Sequence, residues 1–323
     1  MSGASYLQRY RERRAGSNGA PPGPLYLRRF TADGQSPVGD GHPPAGWREA
    51  TRSPEIAADG PRQSAPQLDL HLVRHGETQS YLADAGLTPR GAWQSRRCGQ
   101  SLAAEIADGE TVRLITAPTA RAAQTADQVR LGLEDGLAAC GRRVTLRGPE
   151  TDHTFRNFQL LTPAGILDPT SAAGEYRAAL SRQRGAGGRP LWQLELSRFW
   201  VLQSGGGDPI EYWMTSPLLS FEPAAAVVRR LWAGAASLAA QAGRHTRVVC
   251  CTHSGPMRAF ATWALGHDAG EPANTEQVRI RIWTGPGRAL VTYRGRTQEI
   301  NAPPVHDGSP WWELPKPNPP GSG

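Results

Sequence analysis

The chain has 323 residues, 38% of them hydrophobic and 10 of them Trp, enough apolar material for one large packed domain or two smaller ones. Its formal charge of +7 is carried almost wholly by arginine, Lys316 being the only lysine, and no clustered basic face or nucleic-acid module accompanies it. No apolar run approaches the roughly 18 residues a membrane helix needs, and the amino terminus lacks a signal peptide's apolar core. These observations lead us to expect a cytoplasmic protein with neither a nucleic-acid nor a membrane partner.

Residues 1–66 read as a disordered or linker arm: a short basic start runs into Pro21-Pro22-Gly23-Pro24 and later His42-Pro43-Pro44. From Gln67 the pattern becomes globular and stays so to residue 300. Leu68-Asp69-Leu70-His71-Leu72-Val73 reads as a buried strand of a parallel sheet, ending abruptly in Arg74-His75-Gly76-Glu77-Thr78. His71, in the middle of that strand, reads as a packed histidine. Thr88 is a plausible N-cap with Pro89 at the first helical position, and residues 91–106 read as a helix. A second strand is expected over residues 112–116, a helix from Thr119 to Leu137 and a third strand at Val144-Thr145-Leu146.

Residues 150–217 lose the periodicity and read as an irregular, aromatic-rich insertion, either a lid carrying substrate specificity or a subdomain whose aromatics pack on one another. A helix follows over 222–242, then the strand Arg247-Val248-Val249-Cys250-Cys251-Thr252 running into His253-Ser254-Gly255, then a helix over 256–265. Residues 278–283 and 289–293 read as two alternating strands closing the sheet, and residues 301–323 return to a disordered Pro/Gly-rich tail. The strand–helix alternation argues for an α/β layered fold. The four cysteines show no disulfide framework; Cys250 and Cys251 should point to opposite faces of their strand. Their spacing with His253 is not that of a zinc site, so no metal is expected.

Four segments, taken together, resemble the histidine phosphatase superfamily, the phosphoglycerate mutase-like fold. They are Arg74-His75-Gly76-Glu77-Thr78, Leu87-Thr88-Pro89-Arg90-Gly91 with Gln94, the strand, loop and helix from Leu114 to Ala126 carrying Arg121 and Thr125, and Thr252-His253-Ser254-Gly255. The resemblance implies a three-layer α/β/α sandwich with a mostly parallel central sheet, and it does not extend over residues 150–217. It implies metal-independent phosphomonoester hydrolysis without a cofactor, on a phosphorylated small molecule. His75 would be the nucleophile, forming a phosphohistidine that water cleaves. Arg74, Arg121, His253 and Ser254 would hold the phosphate, with His253 stabilising the transition state. The residue types suit phosphoryl transfer. An arginine fork donates two parallel hydrogen bonds to phosphate oxygens, and an imidazole with pKa about 6.5 is a nucleophile near neutral pH.

The leaving alkoxide needs a proton, and a carboxylic acid should stand near the ester oxygen. Relatives carry a glutamate after the third strand, which makes Glu150 the candidate acid here and Asp152 the second, although the glycine pattern that follows it in relatives is missing. Glu77 is expected to support its loop, and Tyr81 replaces an asparagine frequent in the family. Two alternatives share these residues: a phosphomutase, which returns the phosphoryl group to another hydroxyl, and a silent member that binds a phosphorylated ligand or a protein partner.

Overall fold

The computed structural model describes residues 66–80, 84–182, 188–243, 246–283 and 288–303. The expected arm and tail lie outside these residues apart from their innermost ends, and Tyr81 lies outside as well. Strand β1 (Leu68–Arg74) leads to helix α1 (Pro89–Ala103), β2 (Thr111–Thr116), α2 (Ala120–Ala139) and β3 (Thr145–Thr151). The hairpin β4 (Leu160–Thr162) and β5 (Gly165–Leu167) follows, then α3 (Pro169–Arg182), α4 (Leu191–Ser204) and α5 (Pro209–Thr215). The chain closes with α6 (Ala224–Gln241), β6 (Thr246–Thr252), α7 (Ser254–Leu265), β7 (Gln277–Ile282), β8 (Ala289–Tyr293) and β9 (Arg296–Ile300).

Seven strands form one sheet in the order β3-β2-β6-β1-β7-β8-β9. The first four run parallel, and then β7 pairs antiparallel with β1, β8 with β7 and β9 with β8. Side chains alternate across the sheet, which sorts the apolar residues of each strand into two cores. Leu70, Leu72, Val248 and Cys250 pack under α6 and α7, whereas Val73, Val249 and Cys251 pack under α1 and α2. The adjacent cysteines therefore face opposite ways. The result is the expected three-layer α/β/α sandwich. His71 is buried against Gln277, accepting or donating at 2.9 Å through Nδ1, beside the Asp69–Arg247–Arg279 ion cluster.

Two expectations are corrected. The sheet closes with three antiparallel strands, because the turn Arg294-Gly295, both residues at positive φ, folds β9 back on β8. Residues 150–217 are not irregular but carry the end of β3, the β4–β5 hairpin and three helices. Their glycine clusters and mixed faces hid helices that are held by tertiary packing. Phe155, Trp192, Phe199 and Trp213 are buried, and Phe158 stacks on Trp213 at 4.2 Å between ring centroids. This segment is continuous with the core under α6.

Candidate active site

β1 and β6 are neighbours in the sheet, and both end at the same edge. Ligands of open α/β sheets bind there, outside the carboxyl ends of the strands. His75 N–H donates to the Thr252 carbonyl at 2.9 Å, so the two histidine-bearing turns are laced together by backbone. The His75 and His253 rings meet edge to face, 5.4 Å between centroids. A cavity of about 260 Å³ opens above them, with Arg74, His75, Arg121, His253 and Ser254 at its floor.

The short motifs explain themselves as devices that hold this floor. The backbone at Gly76 rides on the first turn of α1: a Cβ there would lie 2.4 Å from the Gly91 carbonyl oxygen, and one on Gly91 would lie 2.1 Å from that of Glu77. Only glycine fits on either side of that contact. Thr88 caps α1, its hydroxyl oxygen accepting from Gly91 N–H at 3.0 Å while donating to the Glu77 carboxylate at 2.9 Å. Gln94 accepts from Glu77 N–H, and Thr125 of α2 accepts from Gly76 N–H at 3.0 Å. Glu77 thus supports its loop.

His75 Nδ1 lies 2.8 Å from the Gly76 carbonyl oxygen. A carbonyl only accepts, so Nδ1 carries the proton and Nε2 the lone pair. Burial lowers the His75 pKa from 6.5 to about 3, and the guanidiniums of Arg121 and Arg74 push the same way. His253 is held well below its ordinary value by burial, then by Arg121. Both imidazoles are therefore neutral at pH 7. Thr119 Oγ1 lies 3.3 Å from His253 Nε2, while the buried His253 Nδ1 has no hydrogen-bond partner among the described residues.

Carboxylates occupy both arginines. Arg74 donates through Nη1 to the Pro272 carbonyl and pairs through Nη2 with Glu271 at 3.0 Å. Arg121 pairs with Asp84 at 3.0 Å, and Asp84 also accepts from the backbone N–H groups of Ala120 and Arg121 at the start of α2. Ser254 opens α7, whose first-turn N–H groups and dipole favour an anion. A Cβ on Gly255 would meet the Phe158 ring at 2.7 Å, so the glycine of His-Ser-Gly is what lets that ring lie beside the cleft.

Above the floor the walls come from the insertion. Phe158, Phe199, Trp200 and Ile210 form an apolar side, with Asn157, Thr170 and Gln203 as the polar side chains among them. The loop that delivers Asn157 and Phe158 is clamped by Arg230 of α6, which donates to the carbonyls of Thr154, Arg156 and Asn157 and pairs with the buried Glu222 at 3.0 Å. Arg258 of α7 pairs with both Asp268 and Asp208, the N-cap of α5, and so ties the insertion to the core.

The structure brings together Arg74, His75, Arg121, His253 and Ser254. It does not bring Glu150 or Asp152. Glu150 is 61% exposed and pairs with Arg113 on the edge strand β3, which β2 and β6 separate from β1. Asp152 accepts from Thr154 N–H, capping the turn at His153–Phe155. Sequence reasoning missed Asp84 and Glu271, which sit in loops without periodicity, and gave Thr119 no role beyond the start of a helix. The aromatics it singled out divide, Phe158, Phe199 and Trp200 reaching the cleft while Phe155, Trp192 and Trp213 serve the core. Among the described residues no group of His, Cys, Asp and Glu is arranged to hold a metal ion.

The profile of the histidine phosphatase superfamily (branch 1) matches residues 70–139 and 206–290, segments that hold every residue of the cavity floor. The chain thus matches the histidine phosphatase superfamily over the segments that build the floor of its cleft. The unmatched stretch, 140–205, contains most of the insertion and the wall residues Asn157, Phe158, Thr170, Phe199, Trp200 and Gln203, while Ile210 lies in the matched part. No curated protein matches the chain.

Among solved structures, the product of an open reading frame of Mycobacterium tuberculosis is 17% identical, covering 71% of this chain and 97% of its own, with a TM-score of 0.40. A mycobacterial glucosyl-3-phosphoglycerate phosphatase complexed with VO3 is 19% identical over 66% of this chain and 90% of its own, with a TM-score of 0.36. An Entamoeba histolytica phosphoserine phosphatase variant in complex with phosphoserine is 14% identical over 73% of this chain and 97% of its own, again with a TM-score of 0.36. No described helix is long and apolar enough to cross a membrane.

Proposed function

We propose that this protein hydrolyses phosphomonoesters through a phosphohistidine on His75. The observation that carries the reading is the orientation of that imidazole: Nδ1–H is held by the Gly76 carbonyl, which leaves Nε2 as the nucleophile in a cleft it shares with two arginines. Depression of the His75 pKa to about 3 keeps the ring unprotonated across the neutral and mildly acidic range.

In the first step Nε2 bonds to phosphorus as the bond to the ester oxygen breaks. The charge on the three remaining phosphoryl oxygens is met by Arg74, Arg121, the N-terminus of α7 at Ser254 and an N–H of His253. Such positioning and charge stabilisation is most of what phosphoryl transfer requires. Each charge-assisted hydrogen bond contributes on the order of 1.5–3 kcal/mol. Phosphate takes over the sites that Glu271 and Asp84 fill on the two arginines. In the second step water attacks phosphorus and the electrons of the P–N bond return to Nε2. The aromatic wall of Phe158, Phe199 and Trp200 suits an ester whose alcohol part carries an apolar or aromatic group, and it is built by the insertion, where we place substrate choice.

The test is phosphate release from an aryl phosphomonoester with chelator present, across pH 5–8. Activity that persists in chelator and vanishes in His75→Ala supports the reading; turnover unchanged by that substitution refutes it. Phosphate release only when a bisphosphorylated primer is supplied would make the protein a mutase instead.

A further inference from the structure

The chemistry assigned to His75 leaves one proton without a source, the one the departing alkoxide takes up. We propose that Glu271, in the loop between α7 and β7, is the general acid of the first step and the general base of the second. This assignment rests on the hydrolase reading above.

Among the described residues lining the cleft, Glu271 is the one carboxylic acid. Asp84 also stands near the floor, but it accepts from two backbone N–H groups as well as from Arg121. Those three contacts hold it at the start of α2, and it does not line the cleft. Glu271 pairs with Arg74 at 3.0 Å, lines the cleft, and has a side chain that is 45% exposed.

Its backbone is fixed with care. Arg294 donates to the carbonyls of Ala269 and Glu271, the latter at 3.0 Å, and is itself paired with Glu276 at 2.6 Å. Thr275 N–H donates to the Arg74 carbonyl at 3.0 Å, and Asn274 Nδ2 donates to the His75 carbonyl at 2.9 Å. The loop is thus stitched to the nucleophile's own turn. Arg74, meanwhile, keeps its Pro272 contact when the carboxylate lets go.

Glu271 is therefore seated on the arginine assigned to the phosphate. When phosphate takes the Arg74 fork, Glu271 loses its cation and gains a dianion as neighbour. As the ester P–O bond breaks, the carboxyl proton passes to the ester oxygen. Glu271, now a carboxylate, takes a proton from the water whose oxygen bonds to phosphorus, and the cycle closes with His75 neutral and Glu271 protonated again.

The experiment compares wild type, E271Q and E150Q on 2-phenylethyl phosphate, whose alkoxide must be protonated, and on 2,4-dinitrophenyl phosphate, whose phenolate leaves unaided. E271Q is expected to lower kcat/KM on the alkyl ester by about 10²–10⁴-fold and on the dinitrophenyl ester by less than about tenfold. E150Q should match wild type on both. Inorganic phosphate, measured by calorimetry, should bind E271Q at least as tightly as wild type, since a competing carboxylate is gone. Equal losses on the two esters, or weakened phosphate binding, would mean that Glu271 only positions Arg74 and would overturn the assignment alone. Absence of turnover in the wild type would refute the hydrolase reading and this assignment with it.

Discussion

Burying two neutral histidines should make this protein sensitive to mild acid. An unfolded histidine titrates near 6.5, whereas burial and the two guanidiniums lower folded His75 to about 3. Between those values the unfolded chain binds the proton that the folded chain refuses, so stability rises with pH and is lost as pH falls from 6.5 toward 3. At pH 7 the effect is small. At pH 5 the unfolded state gains from protonation 1.5 pH units below its pKa, which costs the fold about 2 kcal/mol from His75 alone. His253, lowered for the same reasons, adds a loss of the same sign. The assay is urea denaturation at pH 7 and pH 5 in buffers free of phosphate, because a bound anion would stabilise the folded state. Wild type should lose about 2 kcal/mol more between the two pH values than His75→Asn, whose side chain does not titrate. Equal losses in the two proteins would show that His75 ionises freely in the fold, and the reasoning about its neutral form would fail.

Other consequences follow from particular contacts. Thr125→Val removes the acceptor for Gly76 N–H and leaves a buried amide unpaired; it should cost about 1–3 kcal/mol by urea denaturation and lower kcat more than it changes KM. Arg230→Met strands the buried Glu222 and releases the carbonyls of the 154–157 loop, with an expected loss of about 3–5 kcal/mol, partly recovered in the double variant with Glu222→Gln. Trp200→Ala should raise KM for an aryl ester about tenfold while leaving the affinity for inorganic phosphate, measured by calorimetry, as in wild type. Gly255→Ala must push the Phe158 ring aside, so it should alter selectivity among esters before it alters thermal stability.

How much could be read beforehand depends on where each residue lies. The histidine turns follow apolar strands, and a strand's carboxyl end is a place the chain's own pattern marks. Arg74, His75, Arg121 and His253 were legible for that reason, as was the Thr88 cap with Pro89 behind it. Glu150 misled because spacing after a strand says nothing about that strand's place in the sheet. β3 is an edge strand, separated from β1 by β2 and β6, and Glu150 turns to Arg113 instead. Glu271 lies in an aperiodic loop, and only the hydrogen bonds of Arg294 and Asn274 reveal why that loop sits on the nucleophile's turn. The helices of 150–217 were obscured because their stability comes from packing against α6 and the aromatic cluster rather than from repetitive local pattern.

The most direct measurement is chemical trapping of the intermediate on His75. Wild-type protein mixed with an aryl phosphomonoester, quenched within a turnover in alkali and digested, should yield one acid-labile, alkali-stable phosphate on the peptide containing His75, attached at Nε2. His75→Ala should yield none and should release no phosphate. A labelled peptide elsewhere in the chain, or turnover in wild type with no phosphohistidine at any quench time, would contradict the account.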